Sequence, residues 1–174
     1  MSKNIYNDYT KDIFQKDIKY CKGVGLRYAD ILSKKNIFTL YDLITFFPRT
    51  YEDRTKTLKI FEAIKNEDKN CVVFVEVIDI SNFTFQFKKK PLVIVSDGAT
   101  LCEVPIYGGR LPAGVSLGEK LYLTGKFVRG TRGKIQCKMI EFEKPSSNSL
   151  SYGKIVPIYP LTEGLSQKKL RTLI

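Results

Sequence analysis

The stretch CVVFVEVIDI, residues 71–80, decides the fold class of this chain. Its side chains alternate with a period of two. Valines occupy every second position, at Val73, Val75 and Val77, and the residues between and after them are Phe74, Glu76 and Ile78. This period is typical of a β-strand with one buried face. Turn-forming residues bound the run, Asn70 before it and Ser81–Asn82 after it. The pattern predicts a strand that ends before residue 81.

Four further strand patterns follow: Pro91–Val95, Leu101–Tyr107, Leu121–Val128 and Lys134–Phe142. Ser96-Asp97-Gly98 suits the positive φ of a hairpin turn, and the last two patterns are joined by Arg129–Gly133, which contains two glycines. Glycines and a proline make residues 108–120 a long connector rather than a strand or a helix. Five short strands with a long connector after the third predict an OB-type β-barrel.

Helical spacing dominates the chain before the first strand. Residues 1–20 carry a stripe that predicts a short amphipathic helix: Ile5, Tyr9, Ile13, Phe14 and Ile18. Leu26–Leu32 has helical spacing, and Thr39 with Asp42 resembles an N-cap for a helix over Leu40–Phe47 that Pro48 stops. The predicted class is therefore α+β: N-terminal helices with a helix-hairpin-helix-like turn, followed by the five-stranded barrel. We expect three segments, 1–69 helical, 70–145 barrel and 146–174 linker.

The turn between the first helices is a weak candidate for phosphate binding, with Lys22, Gly23, Gly25 and Arg27 as the candidate residues. Glycines let the backbone N–H groups at a helix start point outward, where they can bind a phosphate oxygen. A tight turn between two helices that binds no ligand explains the Gly-Val-Gly sequence at least as well.

Composition limits the function classes. The formal charge is +11, which favours acidic partners, although a lysine-rich protein without such a partner is the plain alternative. Its four cysteines are scattered and it has no histidine, so a zinc site, a disulfide framework and the usual general base are all poorly supported. We find no catalytic constellation and predict no metal or cofactor for this stretch. No apolar run is long enough to span a membrane, and we expect a reduced, cytoplasmic setting and a monomer.

Four motifs resemble the N-terminal wedge region of the RecG branched-DNA helicases. They are KGVGLRYADIL at 22–32, FFPRTYEDR at 46–54, SDG at 96–98 and PIYPLTEGLSQKKLR at 157–171. The resemblance implies an OB-fold wedge that docks on the branch point of a fork or Holliday junction, in DNA repair and recombination. It also implies a longer parent helicase whose motor lies beyond residue 174 and uses ATP and Mg²⁺, so that this stretch has no ATPase activity of its own.

Two basic segments are the predicted phosphate contacts: Lys88, Lys89 and Lys90 before the second strand, and Arg129, Arg132 and Lys134 at the last hairpin. The family places paired phenylalanines and an asparagine after the third strand, where this chain reads VPIYGGR at 104–110. Tyr107 is the ring there, and Arg110 offers a planar surface beside it, so these two are the predicted base-stacking residues.

Purely structural roles are the alternative to DNA contact for some residues of these segments. Phe83, Phe85 and Phe87 share one strand face, and we expect them to pack in the core rather than stack on bases. Arg49 and Arg54 are expected to pair with Glu52 and Asp53. The rival function is an OB-fold interaction module that docks on the motor or another protein and binds little DNA, because the apolar Ile155–Leu165 segment needs burial. An independent enzyme is a distant third.

Overall fold

A computed structural model of the chain describes residues 13–66, 68–130 and 133–174. Two compact units make up the fold: the described part of Met1–Glu52 together with Pro157–Ile174, and Asp53–Val156. These units differ from the three segments predicted from the sequence, because the C-terminal segment packs in the same unit as the N-terminal helices. The amphipathic helix predicted for residues 1–20 falls mostly outside the described residues.

The described residues contain four α-helices and eight strands. The helices are α1 (Gly25–Ser33), α2 (Leu40–Ile44), α3 (Ile60–Ala63) and α4 (Gln167–Leu173). The strands are β1 (Thr50–Asp53), β2 (Thr57–Leu58), β3 (Cys71–Phe85), β4 (Lys88–Ser96), β5 (Leu101–Pro105), β6 (Lys120–Arg129), β7 (Ile135–Glu143) and β8 (Ile155–Ile158). The predicted α+β class is thus confirmed.

The first unit is mainly helical. Thr39 and Asp42 form the predicted capping box of α2: the Asp42 N–H donates to Thr39 Oγ1 at 3.2 Å, and the Thr39 N–H donates to Asp42 Oδ2 at 2.9 Å. The helix ends at Ile44 instead of Phe47. Pro48 disfavours helical backbone at the residue before it, and the Thr45 hydroxyl, which donates to the Tyr41 carbonyl at 2.7 Å, satisfies the end of the helix.

The C-terminal segment supplies part of the core of this unit. Tyr159, Leu165 and Leu170 are buried in one cluster with residues from the first helices, which are Ile18, Val24, Ile31, Leu32, Ile37 and Leu43. The Gln167 side chain joins Tyr159 like a backbone amide, accepting from its N–H at 2.9 Å and donating to its carbonyl at 2.8 Å. Tyr159 and Leu165 are therefore buried inside their own unit, whereas Leu161 between them is exposed.

The second unit is built on a six-stranded sheet in the order β2-β3-β4-β5-β7-β6. All pairings are antiparallel except β2 with β3 and β5 with β7. Strand β3 also pairs with β6, so the series of pairings β3-β4-β5-β7-β6 returns to β3. Its core contains the alternating valines of the deciding stretch, Val73, Val75 and Val77, each at most 2% exposed.

Strand β3 is longer than predicted. It continues through Ser81–Asn82 to Phe85, and β4 begins at Lys88, three residues before the predicted start at Pro91. The prediction failed because Ser and Asn are turn formers only by tendency, and here the register continues from Ser81↔Leu92 to Phe85↔Lys88. Strands β5, β6 and β7 match their predicted positions to within two residues at each end, whereas β1, β2 and β8 were not predicted.

Asp97 of the SDG motif ties the β4–β5 turn to α3. One carboxylate oxygen accepts the N–H groups of Ala99 at 3.1 Å and Thr100 at 2.9 Å, and the other accepts the N–H of Ile60 at 2.8 Å. Gly98 adopts the positive φ, 90°, that the turn requires. Burial opposes ionisation of this carboxyl group, but the backbone donors outweigh it and hold its pKa below the usual 3.8.

Replacing Asp97 with alanine is expected to lower the free energy of unfolding by roughly 1–3 kcal/mol, because the backbone N–H groups of Ile60, Ala99 and Thr100 lose their acceptor and Ile60 is buried. Since the folded-state pKa is depressed, the carboxylate contributes stability above the unfolded-state value of about 4 and loses it as the pH falls through the folded value. The difference from the unmodified chain should therefore shrink below about pH 4 in urea unfolding curves. Asp68→Ala, at an exposed turn, is the control; a constant difference across pH would contradict the linkage.

Arg54, from the FFPRTYEDR motif, is a buried structural residue. Its side chain is 1% exposed, and one guanidinium nitrogen donates to Glu141 at 2.9 Å and to the Ser151 carbonyl at 3.2 Å. The Ser151 hydroxyl donates to the same carboxylate. The pairing predicted for Arg54, with Glu52 or Asp53, did not include Glu141, and Asp53 accepts from the N–H and hydroxyl of Thr55. Distant carboxylates cannot be seen in a local charge cluster.

Candidate nucleic-acid interface

The β3–β4 hairpin carries three of the predicted contact residues, Lys88, Lys89 and Lys90. Its two strands pair until Phe85 meets Lys88, and Gln86 and Phe87 form the turn with φ of 48° and 60°. Two consecutive positive φ values are the signature of a type I′ turn, whose twist matches that of a hairpin. Phe87, at the tip, is fully exposed.

Tyr107 lies against the phenylalanines of this hairpin. Its ring centroid is 5.8 Å from that of Phe83 and 5.1 Å from that of Phe85, both edge to face, and the two phenylalanine rings are 6.4 Å apart. Such geometry is favourable for aromatic pairs. The expectation that Phe83, Phe85 and Phe87 pack in the core is wrong: Phe83 is half-buried, Phe85 and Phe87 are exposed, and none belongs to the core cluster of the unit.

The aromatic group is therefore larger than the sequence indicated. Tyr107 is 53% exposed and Phe85 is 40% exposed, so both rings present a face or an edge to solvent. The spacing of Phe83 and Phe85 already showed that they share a strand face. What the pattern could not show is that the strand continues past its core-facing part and that Tyr107, reached after β5, packs on the same side.

The lysines of the hairpin lie beside this aromatic group. Lys88 and Lys89 are exposed, and Lys90 is half-buried with its ammonium donating to the Tyr107 carbonyl at 2.9 Å. Lys90 therefore fixes the backbone of Tyr107 while Phe83 and Phe85 fix its ring. Arg110 is exposed three residues further along the connector. Cations and an aromatic surface are thus placed together, as binding to a single strand requires.

The second basic segment lies elsewhere on the sheet. Arg129 is exposed at the end of β6, and Arg132 lies outside the described residues. Lys134 is salt-bridged to Glu103, which also accepts from Gln136 at 3.2 Å. The Lys134 ammonium holds the pKa of Glu103 below its usual range. The charge of Lys134 is therefore partly neutralised by a partner on β5.

The strand register separates the two basic segments. Glu103, the partner of Lys134, is opposite Ile94 on β4. Lys90 and Lys88 lie four and six residues before Ile94, which corresponds to roughly 13–20 Å along the strand at about 3.3 Å per residue. Tyr107, packed on the hairpin, belongs with Lys88–Lys90. The structure thus brings one basic segment to the aromatic group and sets the other apart.

The Gly-Val-Gly turn lies in the first unit, and contacts within this unit account for its conformation. Gly23 and Gly25 have φ of 86° and 61°, and Val24 between them is buried. Lys169 of α4 donates to the Gly23 carbonyl at 2.6 Å, and its ammonium lies 4.5 Å from the Tyr28 ring centroid. Lys22 and Arg27 are exposed beside the turn. The two glycines therefore serve a packed turn whether or not a phosphate binds there.

No metal site is evident in the part of the chain that the structure describes, and three of the four cysteines are buried. No group of three or more His, Cys, Asp or Glu side chains in residues 13–66, 68–130 and 133–174 is placed to hold a metal ion. Burial raises the pKa of Cys102 to about 12, and it also raises the pKa of Cys71 and Cys137, so these thiols stay protonated. No helix within these ranges is long and apolar enough to cross a membrane.

Three comparisons with known proteins all find similarity to RecG proteins. The model of the RecG wedge domain matches residues 17–174. The ATP-dependent DNA helicase RecG of Thermotoga maritima is 31% identical over 90% of this chain and 20% of its own length, and that of Borreliella burgdorferi is 30% identical over 90% and 23%. A solved structure of RecG bound to a three-way DNA junction matches with a TM-score of 0.67 at 27% identity, covering 91% of this chain and 22% of that one.

The chain therefore spans about a fifth of the length of these relatives. The resemblance first seen in four motifs extends over the whole described second unit and most of the first. This chain belongs to the RecG wedge domain family.

Proposed function

We propose that this chain is the branched-DNA-binding wedge of a RecG-like helicase. It binds forks and junctions through phosphate contacts of Lys88, Lys89 and Lys90 and by stacking of one or two bases on Tyr107. The observation that carries the proposal is the packing of Tyr107 on Phe83 and Phe85 beside these lysines. A ring held rigidly by its neighbours loses little freedom when a base stacks on it.

The fold proposal is an OB-type barrel. The order of pairings, with β3 joined to both β4 and β6, supports a closed sheet of the five strands β3–β7. In OB-folds, loops between strands bind nucleic acid, and here the β3–β4 hairpin and the connector after β5 supply the candidate residues.

The remaining contacts are weaker proposals. Arg129, Arg132 and Lys134 are a separate set of proposed phosphate contacts, of which Lys134 contributes least because of its ion pair with Glu103. Arg110 adds a planar surface near Tyr107. Lys22, Gly23, Gly25 and Arg27 form a further phosphate candidate in the first unit. For the parent protein, we propose a cytoplasmic, monomeric enzyme of fork reversal whose motor uses ATP and Mg²⁺.

Fluorescence anisotropy of labelled DNA tests the proposal. A fork, a plain duplex and a single strand of equal length are titrated with the chain across a range of salt concentrations. The expected result is preference for the fork and a linear decrease of log affinity with log salt. Equal affinity for the three DNAs, or affinity independent of salt, would overturn the proposal.

Replacing Tyr107 with alanine is expected to weaken fork binding by about 5- to 150-fold, which corresponds to the 1–3 kcal/mol of one stacked base, and to leave duplex binding nearly unchanged. Phe61→Ala is the matched control, because Phe61 is an exposed ring beside a lysine, with the Lys65 ammonium 4.7 Å from its centroid. Equal losses on fork and duplex would count against a stacking role for Tyr107.

A second candidate function is docking on another protein. Four exposed apolar side chains of the first unit favour it, spaced by three residues: Phe38, Tyr41, Ile44 and Phe47, with exposures of 55%, 52%, 46% and 78%. The Ile155–Leu165 segment supports docking less, since Tyr159 and Leu165 are buried in the core of their unit. Capture of a separately produced RecG motor by this chain, lost on Phe47→Ser, would support docking; no capture would leave DNA binding as the function.

A further inference from the structure

The turn of the β3–β4 hairpin places an aromatic ring where folding does not need one. Phe87 is fully exposed at the tip, and it and Gln86 have left-handed backbone, with φ of 60° and 48°. Asn-Gly is the sequence that a type I′ turn favours, because glycine and asparagine adopt this conformation at little cost. A glutamine and a phenylalanine there are strained, and strain of this kind concentrates at functional positions.

The surroundings of Phe87 favour a nucleic-acid strand as its ligand. Residues 82–91, which form the hairpin, include Lys88, Lys89 and Lys90 and no Asp or Glu. The first two lysines are exposed immediately after Phe87, and Phe85 is 40% exposed two residues before it. A ring flanked by free cations matches a strand whose phosphates bind the lysines and whose base stacks on the ring. A basic or neutral protein surface would gain nothing from this charge.

We propose that the hairpin tip is a second stacking site, separate from Tyr107, at which Phe87 stacks on a base of an unpaired strand. Tyr107 is fixed by Phe83, Phe85 and Lys90. Phe87 extends beyond them, at the end of the hairpin. The site selects unpaired over paired strands, because a base inside a duplex has both faces covered by its neighbours. This inference rests on the proposed DNA binding.

The absence of tryptophan from the chain permits a direct test. Phe87→Trp introduces a single indole whose fluorescence reports stacking. The variant is titrated with oligothymidylate, with a fork that has one single-stranded arm, and with a blunt duplex, while anisotropy of the labelled DNA measures binding. We expect quenching by the first two DNAs and little by the duplex. Phe61→Trp, an exposed ring outside the hairpin, should show no quenching by any of them.

The outcomes separate this inference from the proposed function. Binding seen by anisotropy without quenching of the Phe87→Trp indole would overturn the stacking site and leave the proposed function intact. Equal quenching by duplex and single strand would also overturn it. No binding of any DNA would overturn both.

A second variant separates stacking from folding. The double substitution Gln86→Asn with Phe87→Gly gives the turn its favoured sequence and removes the ring. Its thermal midpoint should be equal to or above that of the unmodified chain, while single-strand affinity should fall by about 5- to 150-fold. Unchanged single-strand affinity in this folded variant would contradict the inference.

Discussion

Replacing Lys88, Lys89 and Lys90 together with alanine is expected to weaken binding to every DNA, by on the order of a hundredfold at about 0.1 M salt. Each phosphate contact of a lysine releases about 0.9 counterion from duplex DNA, so loss of up to three contacts should reduce the slope of log affinity against log salt by about 2–3. Anisotropy titrations at four or more salt concentrations measure both quantities.

The structure refines this prediction for the single substitutions. Lys88 and Lys89 are exposed, whereas the ammonium of Lys90 donates to the Tyr107 carbonyl. Lys90→Ala should therefore resemble a Tyr107 variant in part, with reduced preference for the fork. Lys88→Ala and Lys89→Ala should lower affinity for all DNAs by the same factor, because phosphate contacts carry no information about the branch.

A matched triple variant controls for net charge. Lys65, Lys69 and Lys154 are exposed elsewhere in the same unit. Replacing these three with alanine removes the same charge and should change the affinity far less. If both triple variants lose affinity equally, long-range attraction by the net charge of +11 explains binding, and the hairpin lysines have no special role.

Replacing Arg54 with methionine is expected to lower the free energy of unfolding by about 3–5 kcal/mol, because the Glu141 carboxylate would remain buried without its cation. The side chains of Arg54 and Glu141 are 1% and 8% exposed, so water cannot easily replace the lost partner. Urea unfolding followed by circular dichroism measures the change.

Two further variants make the Arg54 prediction specific. Arg54→Met combined with Glu141→Leu removes both charges and should recover part of the loss, since a buried pair replaced by apolar residues is often tolerated. Arg49→Met, an exposed arginine in the same motif, should stay within about 0.5 kcal/mol of the unmodified chain. A loss below about 1 kcal/mol for Arg54→Met would show that the pair contributes little.

Local patterns predicted the five strands β3–β7 and the cap of α2, but not β1, β2 and β8. The alternation of Val73, Val75 and Val77 follows from burial of one strand face, and the Thr39–Asp42 box from the unsatisfied N–H groups of a helix start. Both are set by residues a few positions apart. For the same reason the β4–β5 turn could be placed at Asp97–Gly98, although its bond to Ile60 could not.

The features that were not predicted from the sequence depend on contacts between residues far apart in the chain. Arg54 meets Glu141 across 87 positions, and Tyr107 meets Phe85 across β4 and β5. The spacing of Phe83 and Phe85 indicates that they share a strand face, but it does not indicate that this face lies in the core. Whether that face is buried depends on where the strand leaves the core. The turn-forming residues Ser81–Asn82 predicted that β3 ends before residue 81, so its extension to Phe85 was not expected.

The ratio of the dissociation constants for a three-way junction and for a linear duplex of the same sequence and phosphate number tests the central claim most directly. Measured for this chain at two salt concentrations, it separates recognition of the branch from attraction to phosphate, because salt weakens both complexes alike. We predict tighter binding to the junction at both concentrations, with a ratio that changes little with salt. In the Tyr107→Ala variant the two dissociation constants should become equal. A ratio of one at either concentration would contradict the assignment of this chain as a wedge for branched DNA.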